Sequence, residues 1–129
     1  MKRQAVTIVI DGVDVGALPD AARYGDEGAN SLGSAARGLE GFDAWLGRFI
    51  GLLAPGTLFA VTSDHGCDPT MRGSDHTREY VPVPAGIAGA SRENPLGTRE
   101  TFGDLAATLV EFFELERGAG DSFLDSLER

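Results

Sequence analysis

The chain has 129 residues, which is enough for one compact domain. It carries 11 basic and 20 acidic side chains, and a net charge of −9 repels phosphate backbones and anionic membrane surfaces. Apolar residues make up 42%, which excludes wholesale disorder, and the one cysteine excludes an internal disulfide. We therefore expect a single cytoplasmic domain, residues 1–129, that binds neither nucleic acid nor membranes.

The first predicted element is a strand near the amino end. Residues 5–10 read AVTIVI, an unbroken run rich in β-branched residues and typical of a strand buried on both faces. This run is also too short for a signal-peptide core or a membrane span. In an alternative interpretation, the strand continues into a hairpin around Asp11-Gly12, with Val13 to Val15 as its second arm.

A helix is predicted next, because apolar side chains recur at three- and four-residue steps and form one stripe. The stripe consists of Leu39, Phe42, Leu46, Phe49, Ile50 and Leu53. Gly41, Gly47 and Gly51 weaken the intrinsic helix propensity, so we expect packing on a sheet to hold this helix in place.

Two extended segments follow the helix. Residues 57–62 read TLFAVT after the turn signal Pro55-Gly56, and they predict a second strand buried on both faces. Residues 80–84 carry two prolines, which indicates an edge strand or an irregular segment.

The carboxyl-terminal part predicts one more helix, which opens at residues 101–104 with Thr101 as its N-cap. Its buried face should consist of Leu105, Leu109, Phe112 and Phe113. Residues 122–124 are expected to dock an apolar pair. This order of elements predicts an α/β fold, an open and mostly parallel sheet flanked by helices in three layers.

The candidate site lies beyond the carboxyl ends of the two predicted strands, where ligands bind in open parallel sheets. Asp11 closes the first strand, and Asp64 and His65 close the second. If the strands are parallel neighbours, these side chains converge on one rim. Two carboxylates and an imidazole suit manganese, magnesium or zinc ions. Taken singly, each residue is better explained without a metal: Asp11 as a turn residue, Asp64 as a cap of neighbouring amides and His65 as a solvated side chain.

Further polar residues surround this rim in the sequence. The only other histidine, His76, lies in a second loop rich in Asp and Gly. Asp68 and Asp75 are candidates to orient the histidines by accepting hydrogen bonds from them, or they are solvated acids. Cys67 fits a small buried thiol better than a metal ligand. Arg78-Glu79 and Arg99-Glu100 could bind a phosphate, but ion pairs are the favoured interpretation.

Six segments carry a resemblance to a known family. Residues 11–21 read DGVDVGALPDA, where the family has DSVGIGxxPDA, and residues 24–33 read YGDEGANSLG against FGDxGANTLG. Residues 63–69 read SDHGCDP, where the family has ADHGNDP. These segments resemble phosphopentomutases, metalloenzymes of the alkaline phosphatase superfamily.

The resemblance covers nearly the whole chain. Residues 73–82 read GSDHTREYVP against GTDHTREYVP, and residues 99–104 and 122–124 match the family's carboxyl-terminal helix and tail. Family members are much longer. Residues 1–34 resemble their amino-terminal part and residues from about 39 to 129 their carboxyl-terminal part.

The resemblance implies that Asp11, Asp64 and His65 bind one metal and that His76 serves the other, with manganese as the first expectation and magnesium or zinc as alternatives. It also implies that the nucleophilic threonine, the remaining second-site ligands and the cap domain belong to the part between the two matched ends. The expected function is a divalent-metal-binding core of the phosphopentomutase type that is not a mutase alone, with slow phosphoesterase activity on a phosphorylated small molecule. The alternative is a non-catalytic homodimerisation or interaction module whose metal residues are relics.

Overall fold

The computed structural model of the chain describes residues 2–10, 31–65, 80–90, 94–116 and 118–128, with side chains in the first helix from residue 38 onward. The described elements are the strands β1 (Ala5–Ile10), β2 (Leu58–Ser63) and β3 (Ala85–Ile87), and the helices α1 (Ser31–Leu52), α2 (Gly103–Phe112) and α3 (Leu124–Glu128). None of the described helices is long and apolar enough to cross a membrane.

The described strands form one sheet in the order β1-β2-β3. The Leu58 N–H, at the start of β2, donates to the carbonyl of Gln4, just before β1, across 3.1 Å. The two strands therefore begin at the same end of the sheet and run parallel. β3 is antiparallel to β2 and places Leu58 opposite Ile87. This mixed sheet with its helices confirms the α/β class as a shortened α/β core.

The described residues group into two compact units, and the division passes through β1 and β2. One unit comprises Met1–Thr7, Leu52–Ala60 and Pro84–Arg129, and it contains β3, α2 and α3. The other comprises Ile8–Gly51 and Val61–Val83, and it contains α1 and the residues that follow β2.

β2 is the strand with the best-buried side chains. Leu58 and Ala60 have no exposed surface, and Val61 keeps only 5%. The prediction that β1 is buried on both faces is wrong, because Thr7 and Val9 are exposed. β1 lies at the end of the described strand order and has one described neighbour, whereas β2 has two. The second arm of the alternative hairpin lies outside the described residues.

Gly86 in β3 has to be a glycine, because an aromatic ring approaches its backbone closely. The ring of Phe59 lies against Gly86, its partner in the antiparallel register, so that a Cβ at position 86 would be 2.9 Å from the ring. The segment 80–84 has no regular structure, as its two prolines predict, and the edge strand begins directly after it at Ala85.

α1 confirms the helix predicted between the first two strands, and residues 34–39, where the two family-like parts are expected to join, lie inside it. Its apolar stripe is only half-buried, and Leu39 remains 54% exposed. Trp45 stacks on Phe49 with ring centroids 5.1 Å apart. No residue of α1 from position 38 onward is fully buried.

The buried face of α2 differs from the prediction by about one residue around the helix. Its buried residues are Asp104, Ala107, Thr108 and Phe112. Of the predicted face only Phe112 is among them; Leu105 and Leu109 are half-buried and Phe113 is exposed. α2 has this orientation because two of its polar side chains form hydrogen bonds with the segment that follows the helix.

These two polar side chains hold the carboxyl-terminal segment. Asp104 accepts a hydrogen bond from the Asp121 N–H across 3.0 Å and pairs with Arg99 across 3.2 Å. Thr108 donates to the Asp104 carbonyl across 2.7 Å and accepts from the Phe123 N–H across 3.0 Å. The Asp121 N–H holds the pKa of Asp104 below its ordinary value, against the effect of burial and with the help of Arg99.

Two further expectations for this region have opposite outcomes. Phe123 and Leu124 are buried, which confirms the predicted apolar docking pair. The prediction of Thr101 as the N-cap is wrong, because the N-cap position is Phe102, although the Thr101 hydroxyl does accept a hydrogen bond from the Gly103 N–H across 3.2 Å. At the other end of α2, Arg3 donates to the Phe112 carbonyl across 2.6 Å, where a guanidinium complements the carboxyl end of the helix.

Candidate metal centre

The turn that follows β2 carries the two predicted site residues that the structure describes. β2 ends at Ser63, and the chain bends at Asp64 and His65. The Ser63 hydroxyl donates a hydrogen bond to the His65 carbonyl across 2.9 Å and closes the turn on itself. Asp64 and His65 therefore leave the carboxyl end of a strand whose side chains anchor it in the core.

The side chains of these two residues lie side by side. His65 Nε2 is 3.7 Å from Asp64 Oδ1, and the two side chains are 17% and 53% exposed. Oxygen and nitrogen ligands lie about 2.0–2.2 Å from a metal ion, so two ligands of one ion are separated by at most about 4.2 Å. The observed separation meets this limit, and the pair fits a shared divalent ion. One carboxylate and one imidazole also match ions such as manganese and zinc.

The other predicted site residues, Asp11, His76, Asp68 and Asp75, lie outside the described residues, as does Cys67. Within the described ranges, no group of three or more His, Cys, Asp or Glu residues could hold a metal ion. The structure therefore brings Asp64 and His65 together and leaves their convergence with the other four as a prediction. In the sequence, Asp11 directly follows Ile10, the last residue of β1, which runs parallel to β2.

Neither Arg99 nor the described cavity forms a phosphate site. Arg99 pairs with Asp104, which confirms the ion-pair interpretation of this arginine, and its guanidinium also donates to the Asp121 carbonyl across 2.8 Å. Arg78 and Glu79 lie outside the described residues. A cavity of about 230 Å³ is lined in part by the acidic residues Glu111, Asp121 and Asp125. This acidic lining disfavours a phosphate, and it includes neither Asp64 nor His65.

Comparison with protein families defines the class. Residues 31–117 match the model described as "Metalloenzyme superfamily". This match covers more than half of the chain and includes Asp64, His65 and the turn that carries them. The chain therefore belongs to the Metalloenzyme superfamily.

Several curated phosphopentomutases are similar to the chain. The phosphopentomutase of Syntrophotalea carbinolica is 50% identical over 95 residues, which cover 70% of this chain and 23% of that protein. The phosphopentomutase of an Anaeromyxobacter species is 48% identical over 92 residues, 71% of this chain and 23% of that protein. That of Carboxydothermus hydrogenoformans is 45% identical over 91 residues, 70% of this chain and 24% of that protein. The search of solved structures found no match.

The chain thus spans about a quarter of the length of the curated relatives it matches. The sequence-based interpretation missed one residue of the described turn, Ser63, whose hydroxyl bond to His65 has no periodic signal. The signal that could have found it is a serine at the end of a predicted strand, since serine hydroxyls there often bond to the backbone of the following turn.

Proposed function

We propose that the chain is the divalent-metal-binding core of a phosphopentomutase-type metalloenzyme, with manganese as the ion and magnesium or zinc as alternatives. Asp11, Asp64 and His65 bind one ion, and His76 contributes to a shared or second site. The observation that carries this proposal is the separation of 3.7 Å between the Asp64 and His65 side chains at the end of β2. The parallel run of β1 supports it, because Asp11 follows that strand in the sequence.

The residues have separate tasks in this proposal. Asp64 supplies a carboxylate oxygen that offsets the charge of the ion, and His65 supplies a neutral imidazole nitrogen. Asp68 and Asp75 orient the two histidines by accepting hydrogen bonds from their ring N–H groups. A bound divalent ion activates water and polarises a phosphoryl oxygen.

Binding is tested by titrating the metal-stripped protein with manganese and with zinc. The proposal predicts saturable binding at micromolar or lower concentration that is lost in Asp64→Ala and in His65→Ala. Asp43→Ala is the matched control, because Asp43 is an exposed carboxylate on α1 and should leave binding unchanged. Absence of binding, or binding that is indifferent to the Asp64 and His65 substitutions, contradicts the proposal.

The proposed activity is slow, metal-dependent hydrolysis of phosphorylated small molecules in the cytoplasm, without phosphopentomutase activity by this chain alone. A mutase needs a residue that carries the phosphate and two ions that clamp the transferring group. The segment that matches the relatives spans about a quarter of their length. An aryl phosphate assay with manganese tests the hydrolysis. Conversion of ribose 1-phosphate to ribose 5-phosphate by the purified chain would show that the mutase prediction is wrong.

A second candidate function is self-association into a homodimer through α1, with relic metal residues. It is favoured by the exposure of large apolar side chains on this helix: Trp45 is 43% exposed and Leu52 84%. These two residues are seven positions apart and therefore share one helix face. On the same face, Gly38 and Gly41 leave space that the side chains of a second copy would fill.

Sedimentation velocity tests this second candidate. Self-association through α1 predicts a dimer that Trp45→Glu converts to a monomer. Glu40→Lys is the control, because Glu40 lies about 140° around the helix from Trp45. A monomer that retains a tight metal site counts against the second candidate and leaves the first in place.

A further inference from the structure

We propose that Ser63 is a positioning residue for the metal-binding pair Asp64 and His65. This inference rests on the proposed function, because it assigns a task in metal binding to a residue that is not itself a ligand. Ser63 is the last residue of β2, and its hydroxyl donates to the His65 carbonyl across 2.9 Å.

The hydrogen bond acts on the two residues that it encloses. It closes a ring through the backbone of residues 63–65, so it restricts the torsions that set the directions of the Asp64 and His65 side chains. The amino-terminal side of this ring is fixed in turn, because Val61 and Thr62 in β2 are buried. The turn is therefore anchored at the strand and closed at the histidine.

The carboxylate of Asp64 has the greater need of this constraint. Its side chain is 53% exposed, so packing restricts it little, whereas the His65 side chain is only 17% exposed. A ligand that is held in its bound geometry before the ion arrives loses less conformational entropy on binding. Ser63 thus raises affinity by reducing that loss.

The test compares manganese affinity, measured by competition against a chelating dye, among the unchanged chain, Ser63→Ala and Ser63→Thr. We expect Ser63→Ala to weaken affinity about 10-fold, as loss of a hydrogen bond that orients a ligand does. Ser63→Thr retains the hydroxyl and should restore affinity. Ser122→Ala is the matched control, because the Ser122 hydroxyl also closes a turn, accepting from the Leu124 N–H across 3.2 Å. It should leave affinity unchanged.

The melting temperatures of the metal-free variants separate positioning from stability. A positioning role predicts that Ser63→Ala and Ser122→Ala melt within a few degrees of the unchanged chain, while affinity falls in Ser63→Ala alone. Loss of folded structure in Ser63→Ala would assign the hydroxyl to stability and overturn the proposal. Equal affinities of Ser63→Ala and the unchanged chain, or failure of Ser63→Thr to restore binding, would overturn it while leaving the metal site intact. No binding by the unchanged chain would overturn the proposed function and the role of Ser63 with it.

Discussion

The carboxylate of Asp104 accepts a hydrogen bond from the backbone N–H of Asp121, with 3.0 Å between Oδ1 and the nitrogen. The same carboxylate pairs with Arg99 through its other oxygen, across 3.2 Å. One side chain near the start of α2 thus holds both the segment before the helix and the segment before α3. The unit that contains α2 and α3 is therefore held together by this polar contact as well as by its apolar core.

Replacement of Asp104 by asparagine should lower the melting temperature by several degrees. The substitution keeps the shape of the side chain but removes the charge that Arg99 and the Asp121 N–H both bind, and hydrogen bonds to charged groups are the stronger ones. Thermal unfolding measures the effect. Asp43→Asn is the control. If it lowers the melting temperature as much as Asp104→Asn does, the contacts of Asp104 do not stabilise this unit.

The stability of the chain should depend on pH through the same carboxyl. The pKa of Asp104 is lowered in the folded state, so the unfolded chain binds its proton first as the pH falls. The stabilisation is fully present above the ordinary aspartate pKa and is lost as the pH drops below it. Urea unfolding from about pH 7 to about pH 3 should therefore show the unchanged chain and Asp104→Asn converging at the acidic end. A constant difference across this range would contradict the assignment.

Thr108→Val should destabilise the chain by about 1–3 kcal/mol, because it leaves the buried Phe123 N–H without an acceptor. Thr108 has no exposed surface, so water cannot replace its hydroxyl at that position. Thr108→Ser keeps the hydroxyl and removes only a methyl group, and it should cost less. The measurement is the free energy of unfolding of each variant. A larger loss of stability in Thr108→Ser than in Thr108→Val would show that packing of the methyl group dominates at this position.

Gly120→Ala should be strongly destabilising, whereas Gly118→Ala should be tolerated. Gly120 has a φ of 105°, and an added Cβ would overlap the backbone carbonyl of Gly103. A side chain in that conformation costs about 1–3 kcal/mol before the overlap is counted. An added Cβ at Gly118 would meet nothing within 4 Å. Equal melting temperatures for the two variants would contradict this local geometry.

The elements that depend on local pattern were predictable from the sequence. The apolar run after Pro55-Gly56 predicted β2, and the three- and four-residue steps predicted α1 and α2. The docking of Phe123 also followed from residue type and position. An ion pair of Arg99 was predicted too, but not its partner Asp104. These features are determined by side chains close to one another in the chain or by simple hydrophobicity.

The exposure of β1 and the orientation of α2 could not be predicted in the same way. Val9 belongs to an apolar run, but its exposure depends on which strands lie beside β1, and that is a property of the whole sheet. Asp104 and Thr108 look like surface residues of an amphipathic helix. They are buried because Asp121 and Phe123 bring their backbone N–H groups to them, and these contacts join residues 15 to 17 positions apart.

The candidate site was predictable in part, for the same reason. Asp64 and His65 are neighbours in the chain, and the end of a predicted strand placed them on one rim. Their convergence with Asp11 and His76 depends on residues outside the described ranges and remains a prediction. Ser63 acts through a backbone carbonyl, and such a contact leaves no trace in hydrophobic periodicity.

The central claim is that an ion binds between Asp64 and His65, and nuclear magnetic resonance with paramagnetic manganese tests it most directly. The chain has only two histidines, so Ala substitutions at His65 and His76 assign both sets of ring signals. Substoichiometric manganese should broaden the His65 ring signals before those of the backbone at large, and Asp64→Ala should abolish this selective broadening. Histidine signals that stay sharp while other signals broaden, or selective broadening that survives Asp64→Ala, would contradict the metal centre proposed for this chain.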